Sequence, residues 1–150
     1  MATNIALSGS ADGTIPLVSP TLAAEYKRAH QEMITALRVM DEMALEPPSS
    51  LLRLSHTRLR ITRAANDSRI ALQRVLTILS KMPSPTIARK VEVIEQLHAE
   101  VRGAAREHMT AWPHAAAQAE WRQYYESHSE VAQLWREVIE RERQLLYPML

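Results

Sequence analysis

The sequence predicts an all-α fold, an antiparallel up-down-up-down four-helix bundle, and three observations predict it. Apolar residues recur at alternating steps of three and four along four long segments, which puts them on one face of each helix. Prolines punctuate the segments, whereas the 150 residues hold only three glycines, at positions 9, 13 and 103. No stretch shows the strict apolar-polar alternation of a half-buried strand. Segments with one apolar face each, joined by short connections, bury those faces by doubling back on one another.

Residues 1–19 mix Ser, Gly, Thr and Pro without a period and read as a mobile arm, so the bundle domain is expected to span 20–150. Helix one, about 20–46, carries the stripe Leu22, Tyr26, Ala29, Met33, Ala36, Met40 and Met43 until Pro47 and Pro48 stop it. Ser49 or Ser50 can cap helix two, about 50–82, whose stripe runs Ile61, Ala65, Ser68, Leu72, Val75, Leu79 and Met82 up to the PSP turn at 83–85. Helix three continues the rhythm through Ile87, Val91, Ile94, His98, Val101, Ala105, His108 and Trp112 and ends at Pro113. Helix four follows with Trp121, Tyr124, His128, Val131, Trp135, Val138, Glu142 and Leu145. Pro148 then ends that helix, and Tyr147, Met149 and Leu150 are expected to fold over the bundle floor near the PSP turn.

Composition removes several kinds of chemistry. The chain has no Cys, hence no disulfide, thiolate ligand or Cys nucleophile, which fits a reducing, cytoplasmic setting. Three scattered glycines cannot build a glycine-rich phosphate loop. No segment reaches the roughly 20 uncharged residues of a membrane span. Ser55 precedes His56 and Ser127 precedes His128, but neighbours on a helix point apart and form no nucleophile-base pair. No enzymatic activity is expected. Trp112, Trp121, Tyr124, Tyr125 and Trp135 cluster around the last connection and helix four, where they fill the upper core or line a ligand pocket.

Polar residues on the core stripes are where a bundle holds a metal or cofactor. Counting ~1.5 Å per residue from the end where helices two and three meet places His30 near ~15 Å, His98 near ~18 Å and Glu142 near ~6 Å. These three are expected to converge on the lower half of the bundle as candidate metal ligands, against the alternative that each histidine sits at a bundle edge or bonds to a neighbour. His108 near ~33 Å and His128 near ~27 Å stand too far away to share an ion with them.

The closing EVIERERQLLYPML resembles the last helix of hemerythrin-like cation-binding domains, which carries a His, then Glu-Glu four residues later, then an ending of Leu-Phe-Pro-Leu-Leu type. LHAEVR at 97–102 and AHQEMI at 29–34 resemble the helices of that family that begin with a ligand His. The resemblance implies a four-helix bundle built around two irons. This chain has Val138 where the last helix's ligand His would stand and Arg143 where the second Glu would follow, and helix two supplies neither His nor Glu near its lower end. Only His30, His98 and Glu142 remain, so the expected cofactor is none, with iron as the alternative. The expected role is a regulatory or protein-interaction module whose partner is another protein or a second copy of the chain. The rival is an iron-binding or oxygen- and redox-sensing module on the same three residues.

Arg74, about 12 Å up helix two, is expected to offset Glu142 as an ion pair in place of the missing cation. Helix two as a whole is basic, with a balance of +6 within a chain whose net charge is +1. Arg53, Arg60, Arg63 and Arg74 share one side of it, and nucleic-acid contact through that face is a third reading. Salt bridging to the acidic helix one is the plainer account of the same residues.

Overall fold

The computed structural model describes residues 16–44 and 51–150, and among these the chain is all helix, with no strand. Helix α1 spans Pro20–Glu42, α2 Leu51–Leu79, α3 Pro85–Ala111, α4 His114–Ala119 and α5 Trp121–Leu145, followed by a short 3-10 turn at Tyr147–Met149. The expected caps at Ser49 and Ser50, and the stop at Pro47 and Pro48, lie outside the described residues. No helix among them is long and apolar enough to cross a membrane.

Local chemistry sets the boundaries. Ser19 accepts a hydrogen bond from the Leu22 amide at 3.2 Å, and Pro20 occupies the first turn, where its missing N–H costs nothing. Ser84 and Pro85 repeat the device at the start of α3, with the Ile87 amide donating to Ser84 Oγ at 3.3 Å. Pro113 ends α3 at Ala111, as the sequence predicts. The six-residue α4 was not foreseen: Ala115, Ala116 and Ala117 favour helix, and Glu120, at φ −121° and ψ 54°, breaks it from α5. Helix one ends as a regular helix at Glu42, four residues short of the expected 46, and helix two at Leu79, three short of 82.

Three pairs of helices run in opposite directions. Along α1 and α2, Met43 meets Thr57, Glu32 meets Arg60 and Glu25 meets Arg74. Along α1 and α5, Asp41 meets His128 and Arg136, and Tyr26 meets Glu142. Along α3 and α5, His108 meets Ser127 and His98 meets Trp135.

The core between them has three levels. At the floor, Val18, Tyr26, Val75, Leu79, Ile94, Leu146 and Met149 are buried together. Met33, Leu37, Val101, Trp135 and Ile139 form the middle, and Met40, Met43, Leu54, Trp121 and Tyr124 the top. The chain's apolar ending folds over the floor, with Leu146 and Met149 buried in it. The boundary of the expected arm shifts for the same reason. Val18 is buried at the floor, and the Leu17 amide donates to the Met149 carbonyl at 3.0 Å, so these two residues belong to the folded body.

Candidate functional site: a buried carboxylate between two imidazoles

Glu142 is fully buried near the end of α5, in a chain whose other carboxylates are at least partly exposed among the described residues. It reaches the interior because it continues the stripe Trp135, Val138, Glu142, four residues after Val138. A buried carboxylate must be satisfied or lose its charge. Tyr26, on α1, donates its hydroxyl to Glu142 Oε1 at 2.6 Å. The other oxygen, Oε2, lies 3.3 Å from His30 Nε2 and 3.6 Å from His98 Nε2, on α1 and α3. These are short charge-dipole or ion-pair distances without the alignment of hydrogen bonds, so the three atoms facing one another have no hydrogen-bond partner. Burial pushes the Glu142 carboxyl up, but the two imidazoles outweigh it and hold the group down at about 2.

A second tier fixes the histidines. His30 Nδ1 meets the Tyr147 hydroxyl at 2.5 Å, and the two rings stack with centroids 5.6 Å apart. The Nδ1 side of His30 is thereby engaged by Tyr147, while Nε2 faces Glu142. The Tyr26 ring lies 4.3 Å from His30, and Trp135 presents an edge-to-face contact to His98 at 5.7 Å. Burial beside the Glu142 charge drives the Tyr26 hydroxyl far above its ordinary value, so it stays a donor at any physiological pH. The same two causes, opposed by Arg143, lift Tyr147 to about 12.

The structure thus brings His30, His98 and Glu142 together, although counting along ideal helices put Glu142 well below the other two. At the floor, the turn at Tyr147–Met149 packs with Leu17 and Val18 beyond the end of α5, a layer that counting along the helices leaves out. Tyr26 and Tyr147 complete the cluster and were not foreseen as polar partners. The signal was available, since Tyr26 lies four residues before His30 on one helical face.

Arg74 does not pair with Glu142, which corrects the expectation from sequence. Its guanidinium binds Glu25 at 3.1 Å on the exposed surface, because position 74 lies on the outer side of α2 facing α1. Arg60 likewise binds Glu32 at 2.9 Å, and Arg53 and Arg63 are exposed, so the basic face is interleaved with acids from α1. His108 and His128 form a separate pair at the top, with ring centroids 6.2 Å apart.

The donor set does not fit the two irons that the resemblance implies. One carboxylate and two imidazoles are present, one carboxylate oxygen is taken by Tyr26, and α2 contributes no ligand. Among the described residues no group of three His, Cys, Asp or Glu side chains is arranged to hold a metal ion. Comparisons with protein-family models, with curated proteins and with solved structures returned no match.

Proposed function

We propose that this chain is a non-enzymatic helical module that acts by protein contact, in regulation or sensing, and that its long helices form an antiparallel up-down-up-down bundle of hemerythrin-like descent with a lost di-iron site. The observation that carries the reading is the Glu142 cluster. Tyr26 donates to one of its oxygens and His30 and His98 face the other, so the protein's own side chains occupy the surroundings in which a cation would sit. The opposite directions of α1 against α2, and of α5 against α1 and α3, support the bundle.

Protein contact draws support from the outer side of α2. Leu52, Leu59 and Ile70 are exposed at spacings of seven and eleven residues, which align them on one side of the helix, beside Arg63. The partner is another protein or a second copy of the chain. The pairing of Arg60 and Arg74 with α1 carboxylates weighs against a phosphate-tracking face.

Elemental analysis of untagged protein, together with its mass in solution, tests the proposal. Metal-free protein supports it. Stoichiometric iron or zinc that is lost in His98→Ala would replace it with a metal-binding function. Steeply salt-dependent binding to DNA or RNA, abolished by substituting Arg53 and Arg63, would replace it with nucleic-acid contact.

A further inference from the structure

Arg58 is the one arginine of α2 that points inward, and it is 4% exposed. Its position follows from the stripe Leu54, Arg58, Ile61, Ala65, in which it occupies a core place. Only weak partners attend it. Nη2 approaches Met109 Sδ at 3.1 Å, the guanidinium lies over the Tyr124 ring at 5.4 Å, and Nε and Nη1 have no hydrogen-bond acceptor. A guanidinium cannot shed its proton, so burial without an anion is costly and is not relieved by neutralisation.

This charge lines a cavity of about 190 Å³ between α2, α3 and α5. Leu37, Ile61, Ala105, Val131 and Trp135 give it apolar walls, and no carboxylate lines it. Beside the cavity wall, the Asp41 carboxylate lies 3.8 Å from His128 and is paired with Arg136, not with Arg58. His108 and His128 are held down at about 4 by burial, with Arg58 contributing to both, and are neutral at pH 7. Trp135 lines the cavity and also makes the edge-to-face contact with His98, whereas Arg58 and the other named wall residues lie outside the Glu142 cluster.

We infer that this cavity is a binding site for a small organic carboxylate with a compact apolar body, the carboxylate drawing the Arg58 guanidinium toward the cavity and the body packing against Ile61, Val131 and Trp135. Size limits the body to about one ring or a short branched chain, since an apolar cavity of ~150 Å³ is enough to take benzene. Charge favours a monoanionic head, because Arg58 is the only buried cation of the wall, Arg106 standing at its exposed rim, and one buried guanidinium leaves a dianion such as phosphate undercompensated. The inference stands independently of the proposed function, because Arg58 makes none of the contacts of the Glu142 cluster.

Calorimetric titration of the full chain with benzoate, benzamide and inorganic phosphate tests it. Benzoate is expected to bind at least about tenfold tighter than neutral benzamide, because only the former gains a charge-assisted bond. Arg58→Met should erase that difference. Ala105→Leu, which fills the cavity and keeps Arg58, should abolish binding of both aromatic probes, and so covers the case in which Arg58→Met fails to fold. Arg106→Met, at the exposed rim, should leave benzoate affinity within about twofold. No heat with benzoate, equal affinity for benzoate and benzamide, phosphate binding as tight as benzoate, or benzoate binding unchanged in Ala105→Leu would each overturn the inference.

Discussion

Replacing Tyr26 by Phe removes one oxygen and leaves the ring, which makes it the sharpest probe of the buried cluster. The ring keeps its contacts with His30 and Tyr147, at 4.3 and 5.8 Å between centroids, so no cavity opens. What is lost is the 2.6 Å bond to Glu142 Oε1, in a place where no water replaces it without rearrangement. A hydrogen bond to a charged group contributes about 1.5–3 kcal/mol, and the orphaned carboxylate oxygen puts the cost toward the upper end of that range. For a chain of this size each kcal/mol moves Tm by roughly 2–4 °C, so the variant should melt about 4–12 °C lower. Urea unfolding followed by far-ultraviolet circular dichroism should show a lower midpoint with an unchanged slope. A loss below about 0.5 kcal/mol, the size expected of a surface change, would mean that the phenol does not sustain the carboxylate, and the account of the cluster would fail.

Other perturbations separate the interior from the surface. His128 titrates near 4 instead of its ordinary 6.5, because burial, with help from His108, Arg136 and Arg58, outweighs the opposing pull of Asp41. Its folded pKa is depressed, so the unfolded chain binds the proton more readily. Stability is full above pH 6.5 and falls by up to about 3 kcal/mol as pH drops toward 4, a loss that urea midpoints should show reduced in His128→Asn. Glu142, held at about 2, makes the next step: its contribution is full above 4.5 and fades as pH falls toward 2, and Glu142→Gln should remove that lower limb from the acid titration. Leu79→Ala, at a fully buried floor position, should cost about 2–5 kcal/mol in chemical denaturation. Arg74→Met breaks only an exposed pair with Glu25 and should shift stability by no more than about 1 kcal/mol while leaving the acid titration of Glu142 unchanged.

Much of the interior was legible from spacing alone. Tyr26, Met33, Ala36 and Met40 on α1, and Trp135, Val138 and Glu142 on α5, are buried as steps of three and four require. Arg58 shows how the same rule could have been carried further. Counting back three from Ile61 and then four reaches Arg58 and Leu54, yet charge suggests the surface and periodicity the core, and here periodicity is right. Arg74 shows the opposite limit. Its height on α2 matched the gap left by absent ligands, but height does not fix the side of the helix, and the α1 acid Glu25 is the partner within reach. The convergence of His30, His98 and Glu142 in the lower half of the bundle was legible from position along the helices, whereas their distances were not, because linear counting assumes helices that start and stop flush.

The bonds from Tyr26 to Glu142 and from His30 to Tyr147 join residues 116 and 117 positions apart. Such contacts close loops that take in most of the polypeptide, and the entropy of gathering so distant partners delays their formation until local helices and nearer pairings exist. The expectation is a clasp fastened after the rate-limiting ascent and undone early in escape. Weakening it should leave the refolding limb of a chevron nearly still and steepen only the rate at which native molecules come apart.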